Sequence, residues 1–233
     1  MLPLKDNMPT ERFPAITVIL IAINVAVFMY ELSLGPAVNE FLTVYGMTPY
    51  EITRGVAVYD RGDLPVYATL VTSMFLHAGP LHLGSNMLFL WIFGNNVEDT
   101  MGRARFIVFY LMCGIFASVA QIAIEPASQI PNVGASGAIA GVLGGYILLF
   151  PRARVTTLVF LGFFITFIEL PAAVVLLMWI TLQVVAGVAG LYSTMADGGV
   201  AYFAHIGGFV AGLLAIRVFT IGKKKTYAGR GYY

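Results

Sequence analysis

Four polar side chains stand out in an otherwise apolar chain. Ser136 lies between Gly134 and Gly137 in the stretch Asn-Val-Gly-Ala-Ser-Gly-Ala-Ile-Ala-Gly, residues 132–141, at what reads as the start of a helix. His205 follows Ala204 in a second apolar run, and His82 and Asn86 stand four apart in a third. A serine at a helix start commonly caps it, because its oxygen accepts from the orphan N–H groups there. The same hydroxyl within reach of a histidine is the minimum unit of an activated nucleophile. His82 and Asn86 share one helix face. With the backbone N–H of Ser136 they could stabilise a developing oxyanion. Taken singly, Ser136 reads more readily as a cap, and His205 equally well as a packing histidine. The choice depends on whether the surrounding elements bring the four together.

Those elements are membrane spans. The chain has 233 residues, 59% of them hydrophobic and only 11% charged, far below the roughly 25% charged residues of soluble domains. That composition marks an integral membrane protein. A formal net charge of +1 carries no sign of a nucleic-acid partner, and one cysteine, Cys113, excludes an intramolecular disulfide. Apolar runs long enough to cross begin at Ile16–Leu32, Leu81–Val97, Phe106–Ile124 and Ala135–Phe150, followed by Pro171–Leu191 and Tyr202–Ile221. The first is expected to be an anchor, since no small-residue cleavage site follows it.

Charge placement sets the count. Lys5 and Arg12 precede span 1, Arg103 and Arg105 lie between spans 2 and 3, Arg152 and Arg154 follow span 4, and Arg217, Lys223, Lys224, Lys225 and Arg230 close the chain. Six spans with both termini cytoplasmic put all of these inside, as the positive-inside rule expects, leaving only Arg54 and Arg61 in an outer loop. The expected organisation is all-α: one polytopic membrane domain over 1–233. It has a cytoplasmic N-terminal segment (1–13), a long outer loop (33–80) and a cytoplasmic basic tail (222–233). Residues 155–168, before Glu169 and Pro171, are expected to form an interfacial or re-entrant segment.

In that topology spans 2, 4 and 6 all enter from the outer face, so His82, Asn86, Ser136 and His205 lie at a similar depth. Polar residues inside a span are costly and face the bundle interior or a water-filled cavity. Span 4 carries Gly137, Gly141, Gly144 and Gly145, and span 6 carries Ala204, Gly208 and Gly212. Small residues at such spacing let helix backbones approach closely in lipid. If these faces meet, Ser136 and His205 face each other near the outer end of the seam. Asp197 lies in a loop and Glu125 at the end of span 3, so no acid stands beside His205 in a span. A Ser–His dyad is expected rather than a triad.

The ordered set resembles the rhomboid family of intramembrane serine proteases. The resemblance rests on His82-x-x-x-Asn86, on Gly134-x-Ser136-Gly137 and on the helix from Ala204-His205 through Gly208 to Gly212, and it covers residues 14 to 221. It implies a rhomboid-like bundle with Ser136 as nucleophile and His205 as general base, then acid. His82, Asn86, Gly134 and the Ser136 N–H would form the oxyanion and substrate-binding set. It implies single-span or polytopic membrane-protein substrates cut near their outer end, with span 5 and the cap over the site controlling lateral access. Glu98 matches a position that the family uses structurally. Two features depart from the pattern. Many members stack an aromatic residue, four after the serine, on the catalytic histidine; here that residue is Ala140, leaving Tyr202 or Tyr146 as candidates to orient His205. Many carry a Trp-Arg pair in the first outer loop, where this chain has Val66-Tyr67-Ala68-Thr69.

Rival functions are weaker. His77 and His82 are five apart with no adjoining Glu, so neither a metal nor any other cofactor is expected. His77, before span 2, is expected to play no catalytic part. A transporter would call for inverted repeats or a coupling acid, and neither is evident. A catalytically inactive rhomboid-like binder of membrane proteins is the nearer alternative, although such relatives usually lack the serine or the histidine. The charge pattern points to a prokaryotic plasma membrane with the active site opening to the outer side.

Overall fold

A computed structural model describes residues 2–161, 164–191 and 200–223. The chain opens with strand β1 (Leu2–Asp6) and helix α1 (Ala15–Ser33). A folded connection follows, with α2 (Val38–Tyr45), α3 (Pro49–Arg54) and α4 (Thr69–Thr72). Next come α5 (Pro80–Phe89), a π-helical segment (Leu90–Gly94) and α6 (Asn95–Met101), which together continue one helical path, and then α7 (Arg103–Ile124) and α8 (Ser136–Leu149). Strands β2 (Arg154–Leu161) and β3 (Phe164–Pro171) lead into α9 (Ala172–Leu191), and α10 (Tyr202–Phe219) completes the described chain.

Four helices, α1, α7, α9 and α10, are long and apolar enough to cross a membrane. The second and fourth runs in the sequence take other forms. One is the path α5–π–α6, and the other is α8, which has 14 residues and is buried along nearly its whole length. The glycines decide where α8 sits. A Cβ on Gly208 would collide with the Gly137 carbonyl oxygen, one on Gly212 with the Gly141 carbonyl, and one on Gly144 with the Phe209 carbonyl. The α8–α10 seam is therefore backbone against backbone, as small-residue faces permit. On the other side of α8, Gly141 abuts Cys113 and Gly137 abuts Ala117, both of α7.

The first correction to the all-α expectation lies at the other end of α8. Residues 155–161 and 164–168, expected as an interfacial or re-entrant segment of an all-α chain, are strand and belong to a three-stranded antiparallel sheet of order β1-β2-β3. Val155 pairs with Leu170, and Leu2 with Leu158. Val, Ile, Thr and Phe dominate this stretch, and such residues favour a pleated strand over a helix. Beside the sheet, Asp6 Oδ2 accepts hydrogen bonds from Tyr146 Oη (2.6 Å) and Asn96 Nδ2 (2.7 Å). Burial pushes the Asp6 carboxyl up to about 6, against the opposing pull of the Tyr146 hydrogen bond.

Two further ties hold the frame. Glu98 closes the N-terminus of α1, accepting from the N–H groups of Ile16 (3.0 Å) and Thr17 (2.8 Å) and from Thr17 Oγ1 (2.8 Å). A carboxylate at a helix N-terminus meets both the orphan donors and the positive end of the dipole. In the connection after α1, Glu51 and Arg61 form a buried ion pair. Arg61 reaches Glu51 through Nε (2.8 Å) and Nη2, and also donates to the Val44 carbonyl and to Thr48 Oγ1. Burial would raise the Glu51 carboxyl, but Arg61 and the N–H groups of Tyr59 and Val58 outweigh it and hold the group below its ordinary range.

Candidate active site

Ser136 is the first residue of α8, and the N-cap position belongs to Ala135, with no side-chain cap at all. The serine oxygen instead meets His205: Ser136 Oγ lies 2.8 Å from His205 Nε2. The close α8–α10 seam brings the two side chains together, since both lie near the N-terminal ends of helices whose glycines interlock. The helix start also supplies N–H groups, because the first turn of an α-helix leaves its donors without intrahelical acceptors. Those of Ser136 and Gly137 lie at the positive end of the α8 dipole.

His82 and Asn86 stand on α5, and His82 reaches the residues that lead into this helix start. The His82 ring lies 2.8 Å, and Ser136 Oγ 3.5 Å, from the point a Cβ on Gly134 would occupy. Gly134 has φ +131°, outside the range of ordinary L side chains, so glycine is required there on both conformational and steric grounds. Its N–H donates to the Ser73 carbonyl (2.9 Å), so its part is to make room rather than to donate toward the serine. Asn86 is buried at 6% exposure, and its Nδ2 has no acceptor among the described residues. A buried amide donor without an acceptor carries a desolvation cost, and in an active site that cost is repaid when a ligand oxygen arrives.

His77 proves to be buried as well, at 2% exposure, with its ring 5.1 Å from that of His82. Burial, reinforced by the neighbouring His82, pushes the His77 imidazole down to about 4, so it is neutral at pH 7. Its backbone N–H donates to Glu31 Oε1 of α1 (3.2 Å). His77 thus packs against His82.

Neither tyrosine considered for orienting His205 has a bond to it. Tyr146 lies ten residues along α8 from Ser136, about 15 Å away at 1.5 Å per residue, and its hydroxyl donates to Asp6. Tyr202 packs over Gly187 of α9. The partner that sequence reasoning missed is Gln183 of α9, whose Oε1 lies 2.8 Å from His205 Nδ1. An amide oxygen only accepts, so Nδ1 carries the proton and Nε2 presents its lone pair to the Ser136 hydroxyl. Trp179, one turn earlier on α9, places its ring 5.7 Å from the imidazole and contacts Phe89 and Phe209. The aromatic neighbour absent at Ala140 thus comes from another helix. A sequence signal existed: Trp179 and Gln183 are spaced i, i+4 in an apolar span, where a glutamine needs an interhelical partner. Asp197 lies outside the described residues, and Glu125 accepts from Gln121 Nε2 (2.9 Å).

The chain is similar to known proteins over most of its length. Residues 65–221 match the family model described as the rhomboid domain. The chain is 33% identical over 135 residues to Rhomboid protease GluP of Bacillus subtilis, a match covering 58% of this chain and 24% of that protein. It is 28% identical over 201 residues to Rhomboid protein 1, mitochondrial, of Saccharomyces cerevisiae, covering 84% of this chain and 50% of the yeast protein. It is also 28% identical over 180 residues to Rhomboid-like protein 11, chloroplastic, of Arabidopsis thaliana, covering 75% and 61% respectively. The chain thus spans a quarter to three-fifths of the length of these relatives.

Proposed function

This chain belongs to the rhomboid family, and from that premise we propose that it is an intramembrane serine endopeptidase acting through a Ser136–His205 dyad. The observation that carries the reading is the 2.8 Å approach of Ser136 Oγ to His205 Nε2. Ser136 attacks a peptide carbonyl carbon while its proton passes to Nε2, forming a tetrahedral oxyanion. The helix-start N–H groups, Asn86 Nδ2 and the His82 ring hold that oxygen. The imidazolium then protonates the leaving amine as the C–N bond breaks. Water, deprotonated by the same imidazole, hydrolyses the acyl-serine.

The proposed substrates are transmembrane helices of other membrane proteins, opened locally near their outer end. A helical peptide bond is internally hydrogen-bonded, so segments with glycine or proline near the cut are preferred. The length of α8 supports the depth of this chemistry. Fourteen residues span about 21 Å, against a hydrocarbon core of about 30 Å. A helix ending at the inner face would start Ser136 roughly 9 Å inside the outer one, within protein rather than lipid. We read the chain accordingly as six spans with both termini cytoplasmic and the site opening outward. A prokaryotic plasma membrane fits the charge pattern, although its relatives include mitochondrial and chloroplastic proteins as well as bacterial ones.

The test is cleavage of a labelled single-span substrate co-reconstituted in vesicles, comparing the parent with Ser136→Ala and His205→Ala. Cleavage by the parent and none by either variant is expected. Equal cleavage by Ser136→Ala would overturn the assignment. A well-folded parent that binds but does not cut across several substrates would favour an inactive binder.

A further inference from the structure

We propose that Gln183 is a positioning residue through which the seating of α9 switches the competence of His205; this rests on the serine-protease reading above. Three observations carry it. Gln183 Oε1 is the Nδ1 acceptor of His205, at 2.8 Å. Trp179, on the same face of α9, lies against the imidazole and bridges to Phe89 of α5 and Phe209 of α10. Little of the stretch of α9 that carries both is buried among the described residues: from Leu177 to Leu191 only Gly187 is. There the fit to α10 is close, a Cβ on Gly187 falling 3.1 Å from Tyr202 Cβ.

The consequence is chemical. An imidazole has two neutral tautomers, and only the Nδ1–H form can accept the serine proton at Nε2. With α9 seated, Gln183 selects that form. With its outer half displaced, Nδ1 loses its acceptor and the ring loses its aromatic wall, so His205 is free to rotate or change tautomer. Gln183 is neutral and does this without burying a second charge beside the imidazole, which an aspartate would do at the cost of desolvation. A substrate helix must therefore reach Ser136 with α9 in place or returned to place. An opened α9 is an inactive state.

The test reads phosphonylation of Ser136 by a fluorophosphonate, separating maximal rate from half-saturation, with the full chain in micelles and the thermal midpoint recorded for each variant. Gln183→Met keeps the length and removes the amide acceptor. It should lower the maximal rate on the order of 10²-fold, the lower end of what a positioned general base contributes, with half-saturation unchanged. Gln183→Glu, which retains an acceptor oxygen in either protonation state, should recover most of that loss. Gly187→Leu should unseat α9 and slow the reaction at least as much, and its effect should be smaller in the Gln183→Met background than in the parent, because the Gln183 contact is common to both. Reaction of Gln183→Met at the parental rate would overturn the proposal. So would Glu and Met variants that are equally slow while folded, or Gly187→Leu and Gln183→Met effects that multiply. A parent that fails to react, like Ser136→Ala, would instead sink the protease reading, and this proposal with it.

Discussion

At the scale of single residues, placement separates the two readings of Ser136. The hydroxyl caps nothing in α8 and stands 2.8 Å from His205 Nε2. Around it the groups divide by what they can donate. Asn86 Nδ2 is buried without an acceptor, whereas the Gly134 N–H is engaged by Ser73. His82→Ala and Asn86→Ala should therefore each lower kcat on the order of 10²–10³-fold with little change in KM, as expected for donors that act on a developing oxyanion. Steady-state cleavage of a soluble fluorogenic peptide would check this, and a pure KM effect would contradict it. Much of this candidate site was legible, because a histidine or asparagine in an apolar run is conspicuous. Gln183 was not. It sits in a span with no charged neighbour, and nothing local in a sequence says which helix an amide will face.

At the scale of elements, the α8–α10 seam has the least tolerance. The Gly208 Cα faces the Gly137 carbonyl, and the neighbour is backbone that cannot rotate away. Gly208→Val should cost at least the 1–3 kcal/mol typical of overpacking, read as a lower thermal midpoint. It should also abolish activity by spreading Ser136 from His205. Gly190→Val is the control: a Cβ there meets nothing within 4 Å among the described residues, and its midpoint should stay put. The glycine spacing made this seam readable in advance. The sheet was not read, because hydropathy treats an apolar strand and an apolar helix alike. The β-branched and aromatic residues on either side of Gly162 were the available signal. Register with β1, some 150 residues away in sequence, carries no local signature.

At the scale of the whole molecule, α8 links two ends that differ in chemistry. One end holds Ser136, and at the other Tyr146 donates to the Asp6 of β1. The Asp6 carboxyl titrates at about 6 in the fold, against 3.8 for an ordinary aspartate. The folded state therefore binds this proton more tightly than the unfolded state. The resulting stabilisation is full below about pH 4 and is lost as pH rises through 6. The expected size is on the order of 1–3 kcal/mol. Asp6→Asn should flatten that dependence between pH 4 and 7, measured as thermal midpoints against pH. An unchanged slope would remove Asp6 as its source. No sequence pattern announces such a contact, since Asp6 lies in a short polar segment that reads as solvated.

The most direct measurement is the mass of the fluorophosphonate adduct, mapped by peptide digestion on the parent and on His205→Ala. One phosphonyl group on the peptide containing Ser136 in the parent, and none in the variant, is the predicted result. An adduct on a different residue, or on Ser136 at the same rate without His205, would contradict the dyad at the centre of this reading.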